Sequence, residues 1–238
     1  MTATALPASR ARRAGLLATT IGKKLVVAVT GLGWIGFVFF HMLGNLKLFL
    51  GPDDFNHYGE WLRELGEPVF PRTVLLWIFR TGLAAMFIAH VALITVLAVR
   101  NRRSRPERYG KSGRKAADPA SLSMKWGGLT ILLFLVFHLA HFTWGVVPGE
   151  RFERGDVWGN VTNAFYQRPW MGLIYLVAMV ALAAHIYHGF WSTMQTLGFN
   201  RRRFDRLFRA IAVTLAVVIV GGNVLIILGA TFIEGPGL

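Results

Sequence analysis

Histidine is the residue type in this chain with the most obvious capacity for chemistry. There are seven. Six of them (His41, His90, His138, His141, His185 and His188) lie in long apolar stretches, and His57 lies in a polar segment. A neutral imidazole binds metals through one ring nitrogen, and polar groups are costly in lipid, so six on four consecutive apolar stretches point to function. His41 and His90 are 49 residues apart and His138 and His185 are 47 apart, so the placement repeats. The chain has no cysteine, which rules out disulfides and thiolate-held iron–sulfur clusters within it. No Asp or Glu falls deep in an apolar stretch, so the sequence offers no carboxylate proton wire.

Helices must carry these histidines. Five stretches, near 25–50, 74–99, 126–147, 170–197 and 210–233, reach the roughly 20 apolar residues that cross a bilayer. The expected fold is an all-α integral membrane protein of five transmembrane helices in a single domain over 1–238. The first span follows a basic segment and is too long for a signal-peptide core, so it is read as retained. The net charge of +14 could suggest nucleic acid, but its distribution follows membrane topology instead. Residues 1–24 carry five Lys/Arg and no acid, 100–125 carry nine and two, and 199–209 carry five and one. Segments 47–72, 148–168 and 234–238 together carry six Lys/Arg and nine acids. Alternate loops are basic, which puts the N-terminus and two loops in the cytoplasm and the C-terminus outside. The basic loops can attract anionic lipid or dock a soluble partner.

Depth then sorts the histidines. His41 is 17 residues beyond Lys24 and His138 is 13 beyond Lys125, or about 25 and 20 Å along outward-running helices. His90 is 18 residues beyond Arg72 and His185 is 17 beyond Arg168, about 25 Å along inward-running ones. One pair sits in the outer half of the bilayer and the other in the inner half. Two imidazoles on facing helices are what a b-type haem needs, one per face of the ring. With both axial positions filled, electron transfer is the natural role. His138/His141 and His185/His188 are each spaced i, i+3 and share a helix face, so spacing alone leaves the choice within each pair open. Gly31, Gly33, Gly36, Gly44 and Gly189 suit either a flat macrocycle or ordinary helix packing. Arg80, well inside the second span, suits a haem propionate or snorkelling to the interface. Trp34, Trp77, Trp126, Trp144, Trp170 and Trp191 suit an interfacial belt or the core.

With the histidines placed, the strings HMLGNLKLF and GPDDFNHYGEWL at 41–62, IAHV at 88–91, GLTILLFLVFH at 128–138 and AHIYHGFWSTMQTLG at 184–198 can be compared with known families. The chain resembles, over nearly its whole length, the cytochrome b anchor of succinate:quinone oxidoreductases of the single-anchor, two-haem type. The resemblance implies His41 and His138 as axial ligands of a distal haem b, and His90 and His185 as those of a proximal one. It also implies a flavoprotein subunit, an iron–sulfur subunit on the cytoplasmic side and a quinone, menaquinone or ubiquinone, as electron acceptor. The chain would be a subunit of succinate dehydrogenase, or of fumarate reductase working in reverse, in the cell membrane. It would hold no succinate site, and a higher oligomer of the complex stays open.

Arg102, Arg103, Arg105 and Arg201 to Arg203 are then candidates for docking the iron–sulfur subunit. Arg80, His141 and His188 are candidates for a propionate or the quinone. The quinone itself could sit at the inner end, near Trp191, Ser192, Thr193, Gln195 and His188. It could instead sit at the outer end, near His57, Glu60, Glu64 and Glu67, in a loop that otherwise reads as a solvated amphipathic segment. Competing readings are the haem b anchor of a hydrogenase or formate dehydrogenase type and, from another class, a metal or proton-coupled transporter. The latter expects interrupted helices and intramembrane carboxylates.

Overall fold

A computed structural model describes residues 15–104, 119–147, 152–199 and 201–235, with α4 side chains described from Met124 onward. Five helices are long and apolar enough to cross a membrane: Thr20–Leu50, Val74–Arg103, Met124–Trp144, Pro169–Thr196 and Arg202–Phe232. We label the α-helices α1 (Thr20–Asn45), α2 (Pro52–Glu64), α3 (Val74–Arg103), α4 (Pro119–His138), α5 (Val157–Tyr166), α6 (Pro169–Thr196) and α7 (Arg202–Phe232). All regular elements among the described residues are helical.

Local chemistry sets the ends. The Thr19 side chain accepts the Gly22 N–H at the start of α1, and Asp156 accepts the Gly159 N–H at the start of α5. Each satisfies an N–H that has no partner within its helix. Pro52 and Pro169 open α2 and α6, where the missing N–H costs nothing. The third span is not uniformly α-helical. Past His138 it widens into a π-helical turn, Leu139–Trp144, closed by Gly145 in the left-handed region at φ 63°. Single π turns of this kind often occur at functional sites.

Two expected boundaries move. α7 starts eight residues before 210, so most of the basic 199–209 segment is helix rather than loop. The outer loop at 51–72 contains α2, whose only buried residue is Phe55. That is the amphipathic surface segment weighed above. Arg105, and the basic segment around it through 118, lie outside the described residues.

Packing places the four histidine-bearing helices. α3 packs on α1, α4 packs on α6, and α1 packs on α6. α7 lies against α6 and α1, through a buried stripe of Ala212, Ala216, Ile219, Ile226 and Ala230 at helical spacing. Among the described residues the diagonals are different. α1 makes no extended backbone contact with α4, nor α3 with α6. The main core sits at the loop-rich end, where Met42, Leu48, Phe55, Phe165, Met171, Tyr175 and Ile226 join α1, α2, α5, α6 and α7. α3 is apolar around its circumference yet buries only Leu97, as a helix facing lipid on most sides does.

Candidate functional site

One diagonal left unpacked by the backbones is bridged by histidines. Thr30, Trp34, Phe37 and His41 fall at three- and four-residue steps along α1 and form one stripe. At its outer end, the His41 and His138 rings face each other across the α1–α4 diagonal, with centroids 5.8 Å apart and planes at 86°. A metal–imidazole bond is about 2 Å and the ring centre lies ~1 Å further back, so two imidazoles on opposite faces of one metal have centroids about 6 Å apart. Aromatic side chains wall this pair. Phe37 stacks on His41, and Phe134, Phe142 and Tyr175 surround His138.

The π turn separates His138 from its neighbour. In a regular α-helix, side chains three residues apart lie about 60° apart around the axis, and a wider turn opens that angle. Both rings meet Phe142 and, on α6, Tyr175, while His138 alone also reaches His41 on α1. His141 Nδ1 lies 2.8 Å from the Tyr175 hydroxyl, and the ring packs against Phe137, Phe142 and Phe165.

The second expected pair shows no ring contact of this kind: His90 on α3 lies against Thr30 and Gly31 of α1, and His185 on α6 lies near Gly128 of α4. A methyl group at Gly31 would sit 3.3 Å from His90 Cε1, so that glycine lets the ring close onto α1. Gly33 gives Met86 the same room, and Gly44 does so for Tyr58, which is the packing role. Gly36 and Gly189 have nothing within 4 Å of where a Cβ would be. Trp34 Nε1, His138 Nδ1 and His185 Nδ1 are buried without a hydrogen-bond partner. A buried polar atom left unpaired is expensive, so these three orphans suit a group that the chain alone does not supply. Among the described residues no three His, Asp or Glu side chains converge as a metal site.

The remaining candidates lie elsewhere. Arg80 is exposed on α3, with its guanidinium 5.3 Å from the Trp77 ring centre. His57 and Glu67 are exposed at the outer end, and Glu60 pairs with Arg63 and Arg72. Ser192 is half-buried, Thr193 buried and Gln195 exposed. Trp191 Nε1 donates to Asp205 at 2.9 Å, and Arg209 both donates to Asp205 and lies over the Trp191 ring. This cluster ties α6 to α7. Sequence reasoning missed it, and also missed Thr30 and Tyr175. Thr30 carried a signal: it lies 11 residues before His41, three helical turns along the same stripe. No family model, curated protein or solved structure matches this chain.

Proposed function

We propose that this chain is the cytochrome b membrane anchor of a succinate:quinone oxidoreductase, passing electrons from an iron–sulfur subunit towards quinone. The observation that carries the reading is the approach of the His41 and His138 rings between two helices whose backbones make no extended contact. His41 and His138 would hold one haem b, and His90 and His185 the other. Bis-imidazole haem supplies one-electron transfer and leaves no open position for oxygen. The chain's own residues orient the ligands and keep water out: Phe37, Phe134 and Phe142 wall the outer pair.

The alternation of basic and acidic segments supports a cytoplasmic N-terminus and an external C-terminus in the cell membrane. The exposed Arg102, Arg103 and Arg201 to Arg203 then offer the iron–sulfur subunit a cationic surface at the inner-pair end. The flavoprotein would attach through that subunit. The quinone would be reduced either beside His57 and Glu67 or beside Ser192 and Gln195. The test is haem stoichiometry and a reduced-minus-oxidised spectrum of the purified full chain, followed by succinate-driven quinone reduction with its partner subunits. Two b haems per chain and succinate-dependent reduction are expected. A chain without haem sinks the cytochrome reading, and two haems without succinate coupling moves the chain to another respiratory dehydrogenase.

A further inference from the structure

Thr30 is buried on α1, and its Oγ1 lies 2.8 Å from Val26 O and 3.1 Å from Val27 O. It also lies 3.1 Å from His90 Nδ1, on a helix 60 residues away in sequence. A threonine hydroxyl has one proton and can accept from others. With that proton directed to the α1 carbonyls, Oγ1 can only accept from the imidazole. That contact then calls for the Nδ1–H tautomer, which leaves the Nε2 lone pair bare. His185, across the diagonal, has its Nδ1 buried without a partner.

We infer that Thr30 is a positioning residue for His90. It fixes the Nδ1–H tautomer and the ring orientation, so that Nε2 is the nitrogen offered to the inner haem. This rests on the haem reading above. A ring N–H given to an acceptor raises the basicity of the other nitrogen, and loss of such a partner typically weakens metal binding by about 10- to 100-fold. A more basic ligand favours ferric over ferrous iron, so the contact holds the inner potential down.

The test compares Thr30→Val, which keeps the shape and removes the hydroxyl, with Thr30→Ser, which keeps the hydroxyl. In the full chain, Thr30→Val is expected to move the midpoint potential of one haem upward and leave the other unchanged. It should also weaken retention of that haem by about tenfold, while Thr30→Ser restores both properties. If wild-type chain holds two haems and Thr30→Val changes neither potential nor retention, or if the serine variant behaves like valine, the inference is overturned while the haem reading stands. Nitrogen-15 spectra of His90 in the haem-free chain give an answer independent of haem. An Nδ1–H tautomer that loses its preference in Thr30→Val supports the inference. An Nε2–H tautomer in wild type overturns it, even if no haem is ever found.

Discussion

The division of labour between His138 and His141 makes the sharpest test of the site. His141 is 1% exposed, hydrogen-bonded to Tyr175 across the α4–α6 contact and packed among three phenylalanines. Truncating a buried ring of this size costs about 3 kcal/mol. Losing an interhelical hydrogen bond in a membrane bundle adds about 1 kcal/mol. For a chain of this length, about 4 kcal/mol lowers the melting temperature by about 10 °C. Tyr175→Phe keeps the ring and loses only the hydroxyl, so it should cost about 1 kcal/mol. His138 has no such anchor, because its Nδ1 is orphaned. His138→Ala should therefore remove one of the two haems while melting of the haem-free chain changes much less than in His141→Ala. The assays are haem per chain by the pyridine haemochrome method and thermal unfolding of haem-free chain in detergent. The reasoning is refuted if His141→Ala loses a haem at normal melting temperature and His138→Ala keeps both.

Other outcomes follow from single contacts. His185→Ala should remove one haem and leave the other's spectrum largely intact; two full haems in that variant, with one lost in His188→Ala, would reverse the choice within that pair. A Cβ at Gly44 would lie 2.6 Å from the Tyr58 ring, so Gly44→Ala should cost about 1–3 kcal/mol through overpacking of α1 against α2, read as a lower melting temperature. Burial pushes the Tyr58 phenol above its ordinary value of 10.0. That contribution to stability is full below pH ~10 and fades as pH rises through the folded value. Tyr58→Phe should flatten the alkaline limb of a stability–pH profile, and an unchanged limb would argue against it. Asp205→Ala removes the acceptor shared by Trp191 and Arg209, so limited proteolysis should cut faster at the turn that follows α6, near 197–199.

Much of this was legible because two strong signals agree. Hydropathy marks the spans, and the alternation of charge gives the expected direction from which the depth of each histidine is read. The structure keeps the five spans and brings His41 against His138, as depth alone would pair them. What composition could not carry were features decided by neighbours in space. α7 begins early because Arg202, Arg203 and Arg206 sit exposed on a helix, and a hydropathy window reads that charge as loop. The π turn after His138 has no marker in the string LAHFTW. The i, i+3 spacing therefore gave no sign that His141 would be tied to Tyr175 while His138 reached His41. Arg80 looked like a buried charge in need of an anion. The cation–π contact with Trp77 on the exposed side of α3 supplies another partner.

The repeat in histidine spacing has a structural meaning that neither half shows alone. α1 with α3, and α4 with α6, are each a packed pair of consecutive spans, and the two pairs join through α1 and α6. On the proposed reading each pair would contribute one histidine to each of two layers, and the steps of 49 and 47 residues would carry the chain along one helix and back past the midplane along the next. His41 and His138 lie on helices whose backbones make no extended contact. The small residues gather on the packed sides instead, as Gly31 and Gly33 against α3 show. Close packing within pairs and open diagonals between them are two results of one arrangement. The close contacts hold α1 and α4 in place while His41 and His138 cross the gap.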